Sequence, residues 1–95
     1  DQFRFNHAFL GTTAIDLKDG LAQSTYDEIP VKRKAAGHAE RVVVLADSEK
    51  LHKHAPFLFM PLERVHILVT DSGIRDEDRQ ALTDRGVDVR VARVE

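Results

Sequence analysis

Residues 41–50, Arg-Val-Val-Val-Leu-Ala-Asp-Ser-Glu-Lys, decide how this chain folds. The apolar run from Val42 to Leu45 is too short for a helix and rich in β-branching, so it reads as a strand buried on both faces. Such a strand belongs in the middle of a parallel sheet. The run gives way at Ala46 to Asp47, Ser48, Glu49 and Lys50, which puts polar groups just past the strand's carboxyl end. Open α/β sheets bind ligands at that edge, although an ordinary polar connection would have the same composition.

Downstream, Val65 to Thr70 repeats the pattern, a buried strand ending in Thr70, Asp71 and Ser72. Asp76 to Arg85 predicts a helix, with Asp76, Glu77 and Asp78 at its positive end and Gly86 just beyond its last turn. Val87, Val89 and Val91 alternate with Asp88, Arg90 and Ala92, which predicts a final strand at a sheet edge. Between the two buried strands, residues 51–60 contain Pro56 and end in large apolar residues. They predict a loop or short helical turn anchored by Phe57 and Phe59.

Upstream, Phe3, Phe5, Ala8, Phe9 and Leu10 form an apolar opening that stops at Gly11, Thr12 and Thr13, a short strand ending near Leu10. Gly11 allows a tight turn or a close backbone approach, and the threonine hydroxyls suit a turn as well as a ligand. Residues 15–20 predict a polar turn, in which Asp16 either accepts hydrogen bonds from a polyol or braces its own loop. Residues 24–39 predict the first helix, with a capping box between Thr25 and Glu28. Pro30 moves the regular helix toward Ile29, because proline is tolerated only in the first turn. Val31, Ala35 and Ala39 recur at helical spacing and are expected to face the sheet, leaving Lys32, Arg33 and Lys34 toward water.

The resulting order is strand, loop, helix, strand, loop, strand, helix, strand. That alternation predicts a parallel sheet covered by helices and a single ligand edge. Composition sets the limits on function. The 95 residues make one small domain, 42% hydrophobic and 32% charged, with no apolar run near the roughly 20 residues that cross a bilayer. A net charge of −2 with dispersed basic residues excludes a DNA-binding stripe on this piece. Absence of cysteine excludes disulfides and thiolate sites and fits a cytoplasmic protein. His52 and His54 lack a third ligand at zinc spacing, so neither a metal nor a cofactor is expected. Because Asp1 is not an initiator methionine, the chain is expected to be a fragment.

Taken together, Phe9-Leu10-Gly11, Ile15-Asp16, Gly20-Leu21, Glu28 with Val31-Lys32-Arg33, residues 43–50 and residues 68–71 resemble the effector-sensing domain of DeoR/GlpR-type bacterial repressors. The resemblance runs in unbroken order from Phe3 to Val91. It implies an α/β fold, here a partial parallel-sheet three-layer sandwich, Rossmann-like and related to ribose-5-phosphate isomerase. It also implies a repressor that responds to a phosphorylated sugar or polyol and binds operator DNA through a separate N-terminal winged helix-turn-helix. That module and the first half of the sensor, with its phosphate loop, are expected to be absent from residues 1–95. Glu49 departs from the small residue usual in the family and adds a negative charge beside Lys50.

Carried over by position, the resemblance implies Lys50 as the cation meeting the effector and Asp47 as its orienter or a hydroxyl acceptor. Asp16 and Glu28 become polyol acceptors in the same crevice, with Gly11 permitting close approach and Lys32 attracting phosphate. A repressor reading paired half-sites is expected to be a homo-oligomer. No catalysis is expected, because the positions after Leu10 that carry acids in related isomerases hold Gly11, Thr12 and Thr13. A sugar-phosphate isomerase-like fragment and an oligomerisation module without ligand are the competing classes.

Overall fold

A computed structural model describes residues 7–92. Four strands form a parallel sheet in the order β1 (His7–Leu10), β4 (Arg41–Leu45), β6 (Ile67–Asp71) and β7 (Asp88–Ala92). Residues 41–45 thus form a central strand, between β1 and β6. A second sheet is antiparallel and consists of β2 (Ala14–Asp16), β3 (Gly20–Gln23) and β5 (Phe57–Met60). Helices α1 (Ile29–Gly37) and α2 (Asp76–Asp84) complete the regular structure, with short 3₁₀ turns at Ser48–His52 and Leu62–Arg64.

Register explains where the core sits. Leu10 lies opposite Val44, Val44 opposite Leu68, and Leu68 opposite Val89. One row of apolar side chains therefore crosses all four strands on one face, and every member is buried. Ile29 and Ala36 of α1, Leu82 of α2, and Ile15 and Leu21 of the antiparallel sheet pack in the same cluster. Each step from β1 to β4 to β6 to β7 moves in one direction across the sheet, so right-handed crossovers place their connections on that same face. Packing there is tight, with a void of only about 10 Å³ between Ile15, Leu21, Val44, Leu62, Leu68 and Leu82. On the opposite face, Phe9 is 64% exposed and Leu45 49% exposed. The described residues supply two of the expected three layers.

Several local expectations change. Residues 15–20 belong to a β-hairpin, with Ile15 and Asp16 ending one strand, Gly20 starting the next and residues 17–19 turning between them, and residues 57–60 are a strand; these strands are too short to display a clear alternation. Phe59 is buried as expected, whereas Phe57 at the start of β5 stays exposed and meets Tyr26 edge-on. Helix α1 starts at Ile29, with Pro30 in its first turn, and no side chain caps it. The Thr25–Glu28 capping box does not form, because Glu28 at the cap position already has helical dihedrals. The predicted inward face is also wrong. Val31 is 71% exposed, and the helix instead buries Ile29 and Ala36, seven residues and two turns apart. Phe3 and Phe5 lie outside the described residues.

Two arginines tie the two sheets and the helices together. Arg85, at the end of α2, donates to the Leu17 carbonyl at 2.6 Å and to the Glu63 carboxylate. Arg33 donates to the Phe59 carbonyl at 3.1 Å, anchoring α1 to β5. Gly20 and Gly86 both have positive φ, at 108° and 90°. A Cβ at Gly20 would collide with the Met60 carbonyl, whereas one at Gly86 would meet nothing within 4 Å. Gly86→Ala is expected to cost about 1–2 kcal/mol through backbone strain alone. Gly20→Ala should cost more, and urea unfolding midpoints of the two variants measured side by side check the order.

Candidate functional site

Parallel strands β1 and β4 end side by side, and two polar groups gather past their carboxyl ends. The first follows β1. Lys32 reaches back from the first turns of α1 and donates to the Gly11 carbonyl at 2.7 Å and to Gln23 Oε1 at 2.9 Å. Its Nζ is 3.6 Å from Glu28 Oε1 and 5.4 Å from the centre of the Phe59 ring. The side chain is only 15% exposed. Lys32 therefore does not fall toward water, as helical spacing had suggested. It ties the ends of β1, β3 and α1 together, using its donors on acceptors within the chain.

The two threonines after Gly11 belong to the same connection. The buried Thr12 hydroxyl is shared between the carbonyls of Ala14 and Ala22, at 2.9 and 3.0 Å. Thr13 Oγ1 accepts from the Ser24 amide at 3.2 Å, and the Thr13 amide donates to Gln23 Oε1. Both serve the turn that joins the parallel sheet to the hairpin. Gln23, which sequence analysis missed, is buried at the centre of this network because β3 turns it toward Lys32. Its only sequence signal was its place directly after the apolar pair Leu21-Ala22.

A second polar group follows β4. Asp47 caps the 3₁₀ turn by accepting from the Glu49 amide at 3.1 Å, and its other oxygen lies 3.4 Å from Lys50 Nζ. Lys50 is 27% exposed and has that one long contact as its ion pair. Its remaining donors are the most accessible positive charge in this group, which suits it to meet an anion. Asp71 at the end of β6 braces the connection from behind. It accepts from the Ser48 amide at 2.9 Å, the Ser48 hydroxyl at 2.8 Å and the Gly73 amide at 2.8 Å. These hydrogen bonds, that of the Ser48 amide foremost, hold its carboxyl below the ordinary carboxylate value.

Of the residues singled out from sequence, the structure gathers Gly11, Glu28 and Lys32 after β1 and Asp47 and Lys50 after the neighbouring β4. Among the described residues no hydrogen bond or ion pair joins Asp16 to either group. It sits in the hairpin turn and accepts from the Lys18 and Asp19 amides at 2.7 and 2.8 Å, which lowers its pKa. Hydrogen bonds thus favour the alternative in which Asp16 braces its own loop. His66 accepts from the Val42 amide at 2.9 Å and His52 lies 3.1 Å from Asp78. Among the described residues no three His, Cys, Asp or Glu side chains gather in a way that could hold a metal ion.

This arrangement meets a known family. Residues 1–72 match the model of the DeoR C-terminal sensor domain. The chain belongs to that family. Two relatives are the HTH-type transcriptional regulator GlpR of Haloferax volcanii, 32% identical over 89 residues, and the HTH-type transcriptional regulator IolR of Bacillus subtilis, 29% identical over 92 residues. Matches cover 94% and 97% of this chain but only 35% and 37% of those regulators. This DeoR-family sensor chain therefore spans about a third of the length of its relatives. Among the described residues no helix is long and apolar enough to cross a membrane.

The Asp71 brace is open to a direct test. Because its folded pKa lies below the ordinary 3.8, the carboxylate adds stability above that value and loses it as pH falls from 3.8 through the folded value. Asp71→Asn is expected to lower the melting temperature at neutral pH, with the gap to the native chain closing in that acidic window. Parallel melting curves across pH check it.

Proposed function

We propose that this chain is the effector-sensing part of a DeoR-family repressor and that it responds to a phosphorylated sugar or polyol. The observation that carries the reading is Lys50, partly exposed past the carboxyl end of a central parallel strand and beside the Gly11, Glu28 and Lys32 group. Lys50 meets the effector's anion or hydroxyls, Asp47 orients it, and Glu28 accepts from a hydroxyl. Lys32 contributes by holding Gly11 and Glu28 in place rather than as a free phosphate ligand. A fold kinship with ribose-5-phosphate isomerase goes with this reading, but Thr12 and Thr13 stand where a catalytic acid would be needed, so sensing rather than isomerisation is the role.

Control of operator binding then belongs to a helix-turn-helix module elsewhere in the full-length polypeptide, acting in a symmetric oligomer. The effector shifts the assembly between two arrangements through its different affinity for each. Full-length protein screened by thermal shift against phosphorylated sugars and polyols should rise with one of them, since a ligand at about 100 times its Kd adds about 2.7 kcal/mol. In Lys50→Ala that rise should disappear while operator binding persists. An unchanged response in the variant would remove Lys50 from the site.

A further inference from the structure

A cleft lies on the outer side of the antiparallel sheet, and Gly11, Glu28, Lys32, Asp47 and Lys50 are not among its lining residues. Side chains alternate along β2 and β3, so Ile15 and Leu21 enter the core while Ala14 and Ala22 point the other way. Both alanines are nevertheless buried, because residues 53–56 run over them toward β5. Between that segment and the sheet remains a cleft of about 240 Å³. At about 30 Å³ per water it has room for a small organic molecule. The methyl groups of Ala14 and Ala22 line it, which is why the space exists; larger outward side chains would fill it.

Its walls carry opposite charges from different parts of the chain. Asp16 and Asp19 come from the hairpin turn, Lys53 and His54 from the crossing segment, and Pro56 and Leu58 add apolar surface. Although Asp16 uses Oδ1 on its own turn, that bonding keeps the carboxylate charged, and His54 acts on it across the cleft. Among the described residues, no ion pair joins the aspartates to Lys53 or His54. An open space between opposite charges that no ion pair joins suits a ligand carrying both signs, with a short aliphatic body against the alanines and Leu58.

We propose that the cleft bounded by Asp16, Asp19, Lys53 and His54 binds a small zwitterion, its ammonium toward the aspartates and its carboxylate toward Lys53 and His54. The cleft shares no lining residue with the groups that follow β1 and β4. The ligand class follows from the charge arrangement: a plain anion would meet two carboxylates, and a plain cation would leave Lys53 without a partner.

Full-length protein titrated calorimetrically with ω-amino acids from glycine to 6-aminohexanoate tests the proposal, with butanoate and butylamine as single-charge controls. At least one ω-amino acid should bind, and both controls should bind more weakly. Asp19→Asn and Lys53→Gln alter exposed side chains and should leave the melting temperature unchanged, yet each should weaken the preferred amino acid by about threefold to tenfold. The proposal is overturned by no heat with any ω-amino acid, by equal binding of a single-charge control, or by unchanged affinity in both variants. It is equally overturned if these substitutions abolish a sugar-phosphate response instead, since the cleft would then belong to the effector. Loss of that response only in Lys50→Ala leaves the two sites distinct.

Discussion

The row formed by Leu10, Val44, Leu68 and Val89 is the constraint on which the rest of this structure depends. Four parallel strands can bury one continuous face only if their registers bring these side chains level, because a slip of one residue would turn each to the other side. Once that face is apolar, everything else must pack on it. Both helices contribute short contacts rather than long stripes, and Ile15 and Leu21 complete the cover from the small sheet.

Fixing the strands in this way also fixes where polarity accumulates. A parallel sheet sends all its chain ends in one direction, so the polar residues that terminate β1, β4 and β6 emerge along one edge. Hydrogen bonding then sorts them by role. Asp71 is consumed in bracing the connection after β4, and a Cβ at Gly73 would come within 2.8 Å of Ser48 Oγ. Lys32 is consumed in tying three elements together. Lys50, with its single long ion-pair contact, is less committed to the fold than Lys32.

Family membership gives that edge its context. The chain is a sensor-domain sequence that spans about a third of regulators such as GlpR and IolR. The one-sided winding of its described sheet matches such a partial span, since all-parallel sheets are normally covered on both faces. Here Phe9 and Leu45 stand on the less covered side.

The parallel sheet was legible in the sequence, as were the positions of α2, the turn at Gly86 and the polar ends of β4 and β6. Runs such as Val42 to Leu45 combine β-branching with burial on both faces, and Gly86 ends a helix through a dihedral few other residues adopt; both are local signals. The membership in a sensor family was legible too, through residues quoted in unbroken order. The hairpin sheet was not, because β2 and β5 become strands only by pairing with β3 and have too few residues to show a period. Nor was the inward face of α1, where Ile29 and Ala36 are selected by the sheet beneath them over the better-spaced Val31, Ala35 and Ala39. Sequence alone thus determined which stretches were strands by intrinsic preference and which polar residues stood at their ends. Only the tertiary structure decided that Lys32 is a tie and Asp16 a brace, because a charged side chain's role depends on acceptors brought to it from distant parts of the chain.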